Sequence, residues 1–238
     1  MRFAEKVAIV TCGGSRIGLA VAQRFAADGA FVYITGRRQA ELDRAAANIG
    51  PHATAVRGDV TIAAYSEHLH AKVEREKGRL DLLLISAGLA EFANLEDITE
   101  EHYDRCFGLN ARAMLFTVQK VLPLMRRGSA IVLVGSVADS IGMPGYGTYN
   151  ASKVAMRSFA RTWKKELAGR GVRVNVVSSG PTDTPMTEAA SREIIATLTN
   201  LIRWDAWAGQ KKSPRLYAFW HPMKVASLQV LNFASTEG

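Results

Sequence analysis

Six short apolar runs, separated by amphipathic stretches, constrain this chain more than any other feature. They are KVAIV (6–10), FVYIT (31–35), ATAVR (53–57), LDLLLIS (80–86), SAIVLVG (129–135) and VRVNVVS (172–178). They lack a sustained apolar/polar alternation, as expected of strands covered on both faces. Between them lie LAVAQRFAADG (19–29), AELDRAAANIG (40–50), AYSEHLHAKVEREKG (64–78), LNARAMLFTVQKVLPLMRR (109–127) and YNASKVAMRSFARTWKKELAGRG (149–171), which read as helices. Sustained strand–helix repetition predicts an α/β fold, a doubly wound parallel sheet with helices on both faces. At 238 residues, 48% of them apolar, the chain can bury one sizeable core. No linker, repeat or low-complexity tract interrupts it, so a single domain over 1–238 is expected.

Charge narrows the choice of partner. Lysine and arginine number 30 against 22 acidic residues, a net charge of +8. The basic residues are scattered, with only short pairs such as Arg37–Arg38, Arg126–Arg127 and Lys211–Lys212. No helix-turn-helix, finger or aromatic-ribbon pattern accompanies them, which argues against nucleic acid. A solvated surface with an anionic cofactor on it is the simpler reading. Two cysteines, Cys12 and Cys106, make no disulfide framework and suit a reducing compartment. No run is long enough to span a bilayer, and the start lacks a signal-peptide core. A cytoplasmic protein with no membrane partner is expected, and nothing points to a metal.

The first strand runs into TCGGSRIG (11–18) and then a helix. Such a turn offers free backbone N–H groups and the helix dipole to phosphate oxygens, as in a Rossmann-type fold. Gly13, Gly14, Ser15, Arg16, Ile17 and Gly18 are therefore candidate cofactor-binding residues, although a strict GxGxxG is absent. At the end of the second strand, ITGRRQ places Arg37 and Arg38 where NAD-binding folds carry an acid for the ribose hydroxyls. An arginine fork can pair with a 2′-phosphate, so NADP(H) is favoured over NAD(H). Surface arginines capping the turn are the plainer alternative. Asp59 and Val60, in RGDV after the third strand, are candidates for the adenine side.

The most informative stretch is GSVADSIGMPGYGTYNASK (135–153). Tyr149 and Lys153 lie four apart at the start of a helix and share one face. An ammonium near a phenol stabilises the phenolate, which makes Tyr149 a candidate general acid or base. Ser136, at the end of an apolar strand, is placed to hold a substrate oxygen. Asn110, in LNARAM, is a candidate to hold a water linking Lys153 to solvent.

From about residue 5 to 186 the chain resembles the short-chain dehydrogenase/reductase family, broadly its 3-oxoacyl-carrier-protein reductases and related alcohol dehydrogenases. The tetrad Asn110, Ser136, Tyr149 and Lys153 stands in order in GSVADSIG…YNASK. The resemblance implies that Tyr149 donates the proton, Ser136 stabilises the carbonyl oxygen, Lys153 binds the nicotinamide ribose and Asn110 orders the relay water. In DLLLISAG (81–88), Ala87 and Gly88 match the family's Asn-Asn-Ala-Gly, with Ile85 and Ser86 in place of the asparagines. In NVVSSGPTDTPM (175–186), Gly180 and Thr184 match positions beside the nicotinamide, and Ser179 replaces a common proline. The implied reaction is hydride transfer between a nicotinamide cofactor and a small-molecule carbonyl or secondary alcohol, in a homodimer or homotetramer. An NAD-dependent alcohol or sugar dehydrogenase is one alternative. A catalytically impaired dinucleotide-binding relative, serving as a sensor or structural subunit, is another.

Two departures bear on that last alternative. The family's turn reads Thr-Gly-x-x-x-Gly-x-Gly, and in ungapped register Cys12 and Arg16 occupy its first two glycine positions. A shifted register would instead make Gly13 the first glycine. Toward the end, 188–202 and 222–235 read as helical, and no family-type last strand is found, so a seventh strand is expected to be missing. Residues 186–221 form the expected substrate loop or lid. Within them, 203–221 carries three of the four tryptophans and suits a flap or a subunit contact.

Overall fold

The computed structural model describes residues 1–179 and 228–229, with no account of the side chains of Ser179, Leu228 and Gln229. The chain divides into two compact units, Met1–Val176 and Val177–Gly238. In the first, strands β1 (Val7–Val10), β2 (Phe31–Gly36), β3 (Ala53–Arg57), β4 (Leu80–Ile85), β5 (Met125–Ser136) and β6 (from Arg173) alternate with helices. The strand order is β3-β2-β1-β4-β5-β6. Pairings β1–β2, β1–β4, β2–β3 and β4–β5 are all parallel. The order reverses at β1, so the crevice beyond the ends of β1 and β4 is the topological switch point where such sheets bind ligands.

The sheet centre is apolar on both faces because helices cover both. Ile9, Tyr33, Leu83 and Ile131 on one face and Ala8, Val10, Val32 and Ile34 on the other are all at most 1% exposed. Helices α1 (Arg16–Ala27), α2 (Gln39–Ile49) and α3 (Ala63–Lys77) start and stop within a few residues of the sequence expectation. The stretch 109–127, read as one helix, is different. A helix α4 (Glu100–Phe107) precedes it, capped by the Thr99 hydroxyl, which accepts from His102 N at 3.1 Å. Residues Gly108–Ala113 form a π-helical turn, α5 covers only Met114–Val121, and a 3-10 turn Leu122–Leu124 ends the helix. Pro123 lacks the N–H that continuation would need. Met125, Arg126 and Arg127 therefore begin β5 instead of ending a helix. Helix α6 (Gly147–Glu166) carries the second half of the catalytic stretch.

In the second unit, Ser178 and Ser179 at the end of β6 pair antiparallel with a two-residue strand β7 (Leu228–Gln229). This corrects the expectation that a seventh strand is missing, and it puts two residues of the supposed helix 222–235 in a strand. Gly180, Thr184 and the loop 186–221 lie outside the described residues, as does the helix expected over 188–202.

Candidate functional site

The turn after β1 settles its own register. Cys12 and Arg16 have φ of 52° and 53°, left-handed values that favour glycine, whereas neither Gly13 nor Gly14 is left-handed. These are the two positions where the ungapped family pattern has glycine, so the shifted reading with Gly13 first is set aside. The third family glycine is real. A Cβ on Gly18 would lie 2.3 Å from Cys12 O, and one on Gly13 2.8 Å from the Ile34 side chain. Thr11 fastens the turn to the neighbouring strand, its hydroxyl accepting from Ser86 N at 2.8 Å and Ala87 N at 3.2 Å. That links the two segments flanking the switch point, and nothing in the sequence reading assigned Thr11 the task.

The residues fit a dinucleotide phosphate. Ser15 makes no side-chain cap to α1, and no acidic residue sits in its first turn, so the helix N-terminus keeps its positive end for an anion. Arg37, Arg16 and Arg38 all act on the Cys12 thiol electrostatically and thus gather round the turn. The thiol is exposed at the surface, yet crowding by its neighbours pushes its pKa up against their pull, with Asp59 adding to the rise. Arg38 reaches Glu41 at 2.5 Å, while Arg37 and Arg38 both stay exposed. Asp59 Oδ1 accepts from Thr61 N at 2.9 Å and Thr61 Oγ1 at 2.7 Å, which fixes the bend after β3. Gly58 N donates to Gly36 O, and a Cβ there would strike the Tyr65 ring. Val60 packs against the core.

The tetrad residues converge beyond the ends of β4 and β5. Lys153 is 5% exposed, and its ammonium donates to Val134 O at 2.9 Å. It stands 5.7 Å from the centre of the Tyr149 ring. Burial lowers the Lys153 pKa to about 8, with Cys106 and Asp139 raising it in opposition. Burial likewise pushes the Tyr149 phenol above its ordinary value. The Ser136 hydroxyl nearby pulls it back, and Cys106 and Asp139 add to the rise. Ser136 Oγ accepts from Ala138 N at 3.2 Å, leaving its proton free to be donated.

Asn110 sits in the π-helical turn, an irregularity that concentrates at functional sites. Its Oδ1 accepts from Leu89 N at 2.8 Å, and its Nδ2 donates to Leu89 O at 2.8 Å and Ser152 Oγ at 2.9 Å. Both amide donors are therefore committed to protein, and the side chain clamps the main chain just after Gly88. A Cβ on Gly88 would stand 3.5 Å from both Asn110 Oδ1 and Lys153 Nζ, so the glycine leaves a cradle between them. Sequence reasoning missed Ser152 and Cys106, which complete this cluster. Both lie on the faces of helices that carry named residues, Cys106 four before Asn110 and Ser152 next to Lys153.

An open cleft of about 560 Å³ is walled by Glu91, Phe92, Ala93, Asp97, Thr99, His102 and Arg105. It holds no tetrad residue, and the chemistry belongs with Tyr149. Among the described residues there is no metal-ligating cluster and no helix long and apolar enough to cross a membrane.

A parallel sheet with this switch point, this turn and a Ser–Tyr–Lys–Asn cluster defines a nicotinamide-dependent oxidoreductase of the doubly wound type. The short chain dehydrogenase family model matches residues 6–194. The chain is 41% identical over 194 residues to oxidoreductase asL5 of Sarocladium schorii, covering 81% of this chain and 78% of that protein. It is 36% identical to dehydrogenase/reductase SDR family member 4 of Oryctolagus cuniculus, covering 78% and 74%. A short chain dehydrogenase from Burkholderia cenocepacia, solved in complex with NADP, superposes with a TM-score of 0.78 at 32% identity, covering 82% of each chain. The chain belongs to the short-chain dehydrogenase/reductase family, and the activity generic to that family is NAD(P)(H)-dependent oxidation and reduction.

Proposed function

We propose that this protein is an NADP(H)-linked oxidoreductase that interconverts a small carbonyl compound and its secondary alcohol, with Tyr149 as the acid–base group. The observation that carries the reading is the buried Lys153 ammonium, 5.7 Å from the centre of the Tyr149 ring, with Ser136 near enough to the phenol to lower its pKa. When bound, the cofactor supplies or accepts the hydride. The Tyr149 hydroxyl gives its proton to the carbonyl oxygen during reduction and takes it back during oxidation. Ser136 donates to the same oxygen, and Lys153 offsets negative charge on the phenolate left behind. Asn110 holds the Gly88–Leu89 main chain against Lys153, keeping the cradle open for the nicotinamide ribose.

The uncapped head of α1 and the left-handed Cys12 and Arg16 shape the pyrophosphate site, and Arg37 and Arg38 favour a 2′-phosphate. The NADP of the Burkholderia relative supports that cofactor choice. A homodimer is supported by the exposed apolar side chains Tyr103, Phe116 and Val154, which lie on α4, α5 and α6. The test is turnover with NADPH and NADH against a panel of ketones and one 3-oxoacyl thioester, followed by nicotinamide absorbance. Faster oxidation of NADPH is expected. Binding of either cofactor without turnover on any carbonyl would favour the impaired-relative reading, and faster turnover with NADH would favour the NAD-dependent one.

A further inference from the structure

Ser152 lies between Tyr149 and Lys153 on α6, is wholly buried, and takes no part in the proton transfer. Its hydroxyl donates to Tyr149 O at 2.7 Å. A serine on a helix commonly bonds a carbonyl one turn back, so this contact alone says little. The second contact is not local. Ser152 Oγ accepts from Asn110 Nδ2 at 2.9 Å, between residues 42 apart in the chain. Asn110 is wholly buried too. Its Nδ2 also donates to Leu89 O, and Leu89 N donates back to its Oδ1, both at 2.8 Å. Cys106 Sγ stands 3.4 Å from Asn110 Nδ2 and 3.9 Å from Ser152 Oγ, a weaker partner to both.

Two buried side chains thus connect three pieces of main chain: Leu89 after β4, the π-helical turn, and Tyr149 in the first turn of α6. A hydroxyl can join them because one atom both donates and accepts. Gly88, next to Leu89, is the glycine whose Cβ would stand 3.5 Å from Asn110 Oδ1 and from Lys153 Nζ. The network therefore runs from the nicotinamide cradle to the backbone of the residue that transfers the proton. We propose that Ser152 is a positioning residue, which ties the main chain at Tyr149, through Asn110, to the Gly88–Leu89 cradle and keeps the two in register. The inference rests on the acid–base reading of Tyr149. A buried polar network fixes geometry while every member is satisfied. Without the hydroxyl, the Asn110 amide must turn toward Cys106 Sγ or leave a hydrogen unpaired, and either loosens its grip on Leu89.

The experiment measures backbone hydrogen exchange of the unliganded protein by NMR and, separately, steady-state turnover, in the wild type, Ser152→Ala and Ser152→Cys. Ser152→Ala should speed exchange at Leu89 N–H by about tenfold or more, beyond any change at the amides of β1. It should lower kcat by about tenfold or more, with the KM values for cofactor and carbonyl within about threefold of wild type. Ser152→Cys keeps the volume with a weaker acceptor and should fall between the two in both readouts. A serine that only helps α6 to fold would lower the melting temperature and raise exchange at Leu89 no more than in β1, which overturns the inference. Faster exchange at Leu89 with an unchanged kcat overturns it too. Should Ser152→Ala not fold, Ser152→Cys is read by the same criteria. Exchange uses no cofactor and no turnover. A wild-type protein inert toward every carbonyl would therefore sink the proposed function, and exchange at Leu89 would decide the tie on its own.

Discussion

The two halves of the site have changed in opposite ways. In the stretch from Ser136 to Lys153, the side chains that do the chemistry are kept, and the backbone around them is ordinary strand, 3-10 turn and helix. In the turn from Thr11 to Gly18, two family glycines are replaced, yet the backbone at both positions is of the kind glycine favours. Cys12 and Arg16 adopt the left-handed conformation at φ of 52° and 53° although neither is glycine. Each such residue costs about 1–2 kcal/mol, and the neighbouring contacts must hold it there. Gly18, packed under Cys12 O, and Thr11, bound to Ser86 and Ala87, are those contacts. A phosphate-binding turn works through main-chain N–H groups, so it tolerates exchange of side chains while its shape survives. A proton-transfer site works through side chains and has no such freedom.

Substitutions on either side sharpen that contrast. On the side-chain half, Tyr149→Phe removes the one group that transfers the proton. Turnover should fall by about 10²–10⁴-fold, with cofactor affinity within about threefold of wild type. A variant that keeps most of its rate would place the acid elsewhere. On the turn half, Arg37→Glu reverses a charge without touching the backbone. NADPH binding should weaken by about 10–100-fold and NADH binding should hold, as calorimetric titration would read.

Lys153 offers a pH-dependent test of burial. Its folded pKa of about 8 lies below its ordinary 10.5, so above pH 8 the unfolded chain holds more protons and stability rises with pH. Relative to Lys153→Met, the wild type should gain about 2 kcal/mol between about pH 8 and 10, measured by urea unfolding. A constant difference over that window would mean that the ammonium is hydrated. The smallest effect is expected at the turn. Cys12→Gly relieves a left-handed residue but loosens the unfolded chain, for a net gain of about 0.5–1 kcal/mol. Destabilisation would show that the thiol contributes contacts that outweigh the conformational cost.

The sheet was legible in the sequence because strands covered on both faces leave long apolar runs, and β3 starts and ends at the expected residues. The irregular pieces were not. A π-helical turn adds a residue without breaking the apolar spacing, so 109–127 reads as one helix although Asn110 sits in such a turn. Pro123 was the visible signal that the helix stops. Strand β7 is two residues long, too short for any periodicity. At the site, Ser136, Tyr149 and Lys153 were found by spacing and by resemblance. Thr11 and Ser152 were not, because their partners Ser86 and Asn110 are distant in sequence and only the fold brings them near. The register of the glycine turn was undecidable from composition, since side-chain identity and backbone conformation disagree there.

The central claim is that a turn without its first two glycines still binds a dinucleotide, and that it favours the phosphorylated one. Calorimetric titration of the wild-type protein with NADPH and then NADH tests it most directly. The account predicts saturable binding of both, tighter for NADPH by about tenfold or more, a preference that Arg37→Glu removes. Failure of the wild type to bind either cofactor, with binding restored in a Cys12→Gly, Arg16→Gly double variant, would contradict it.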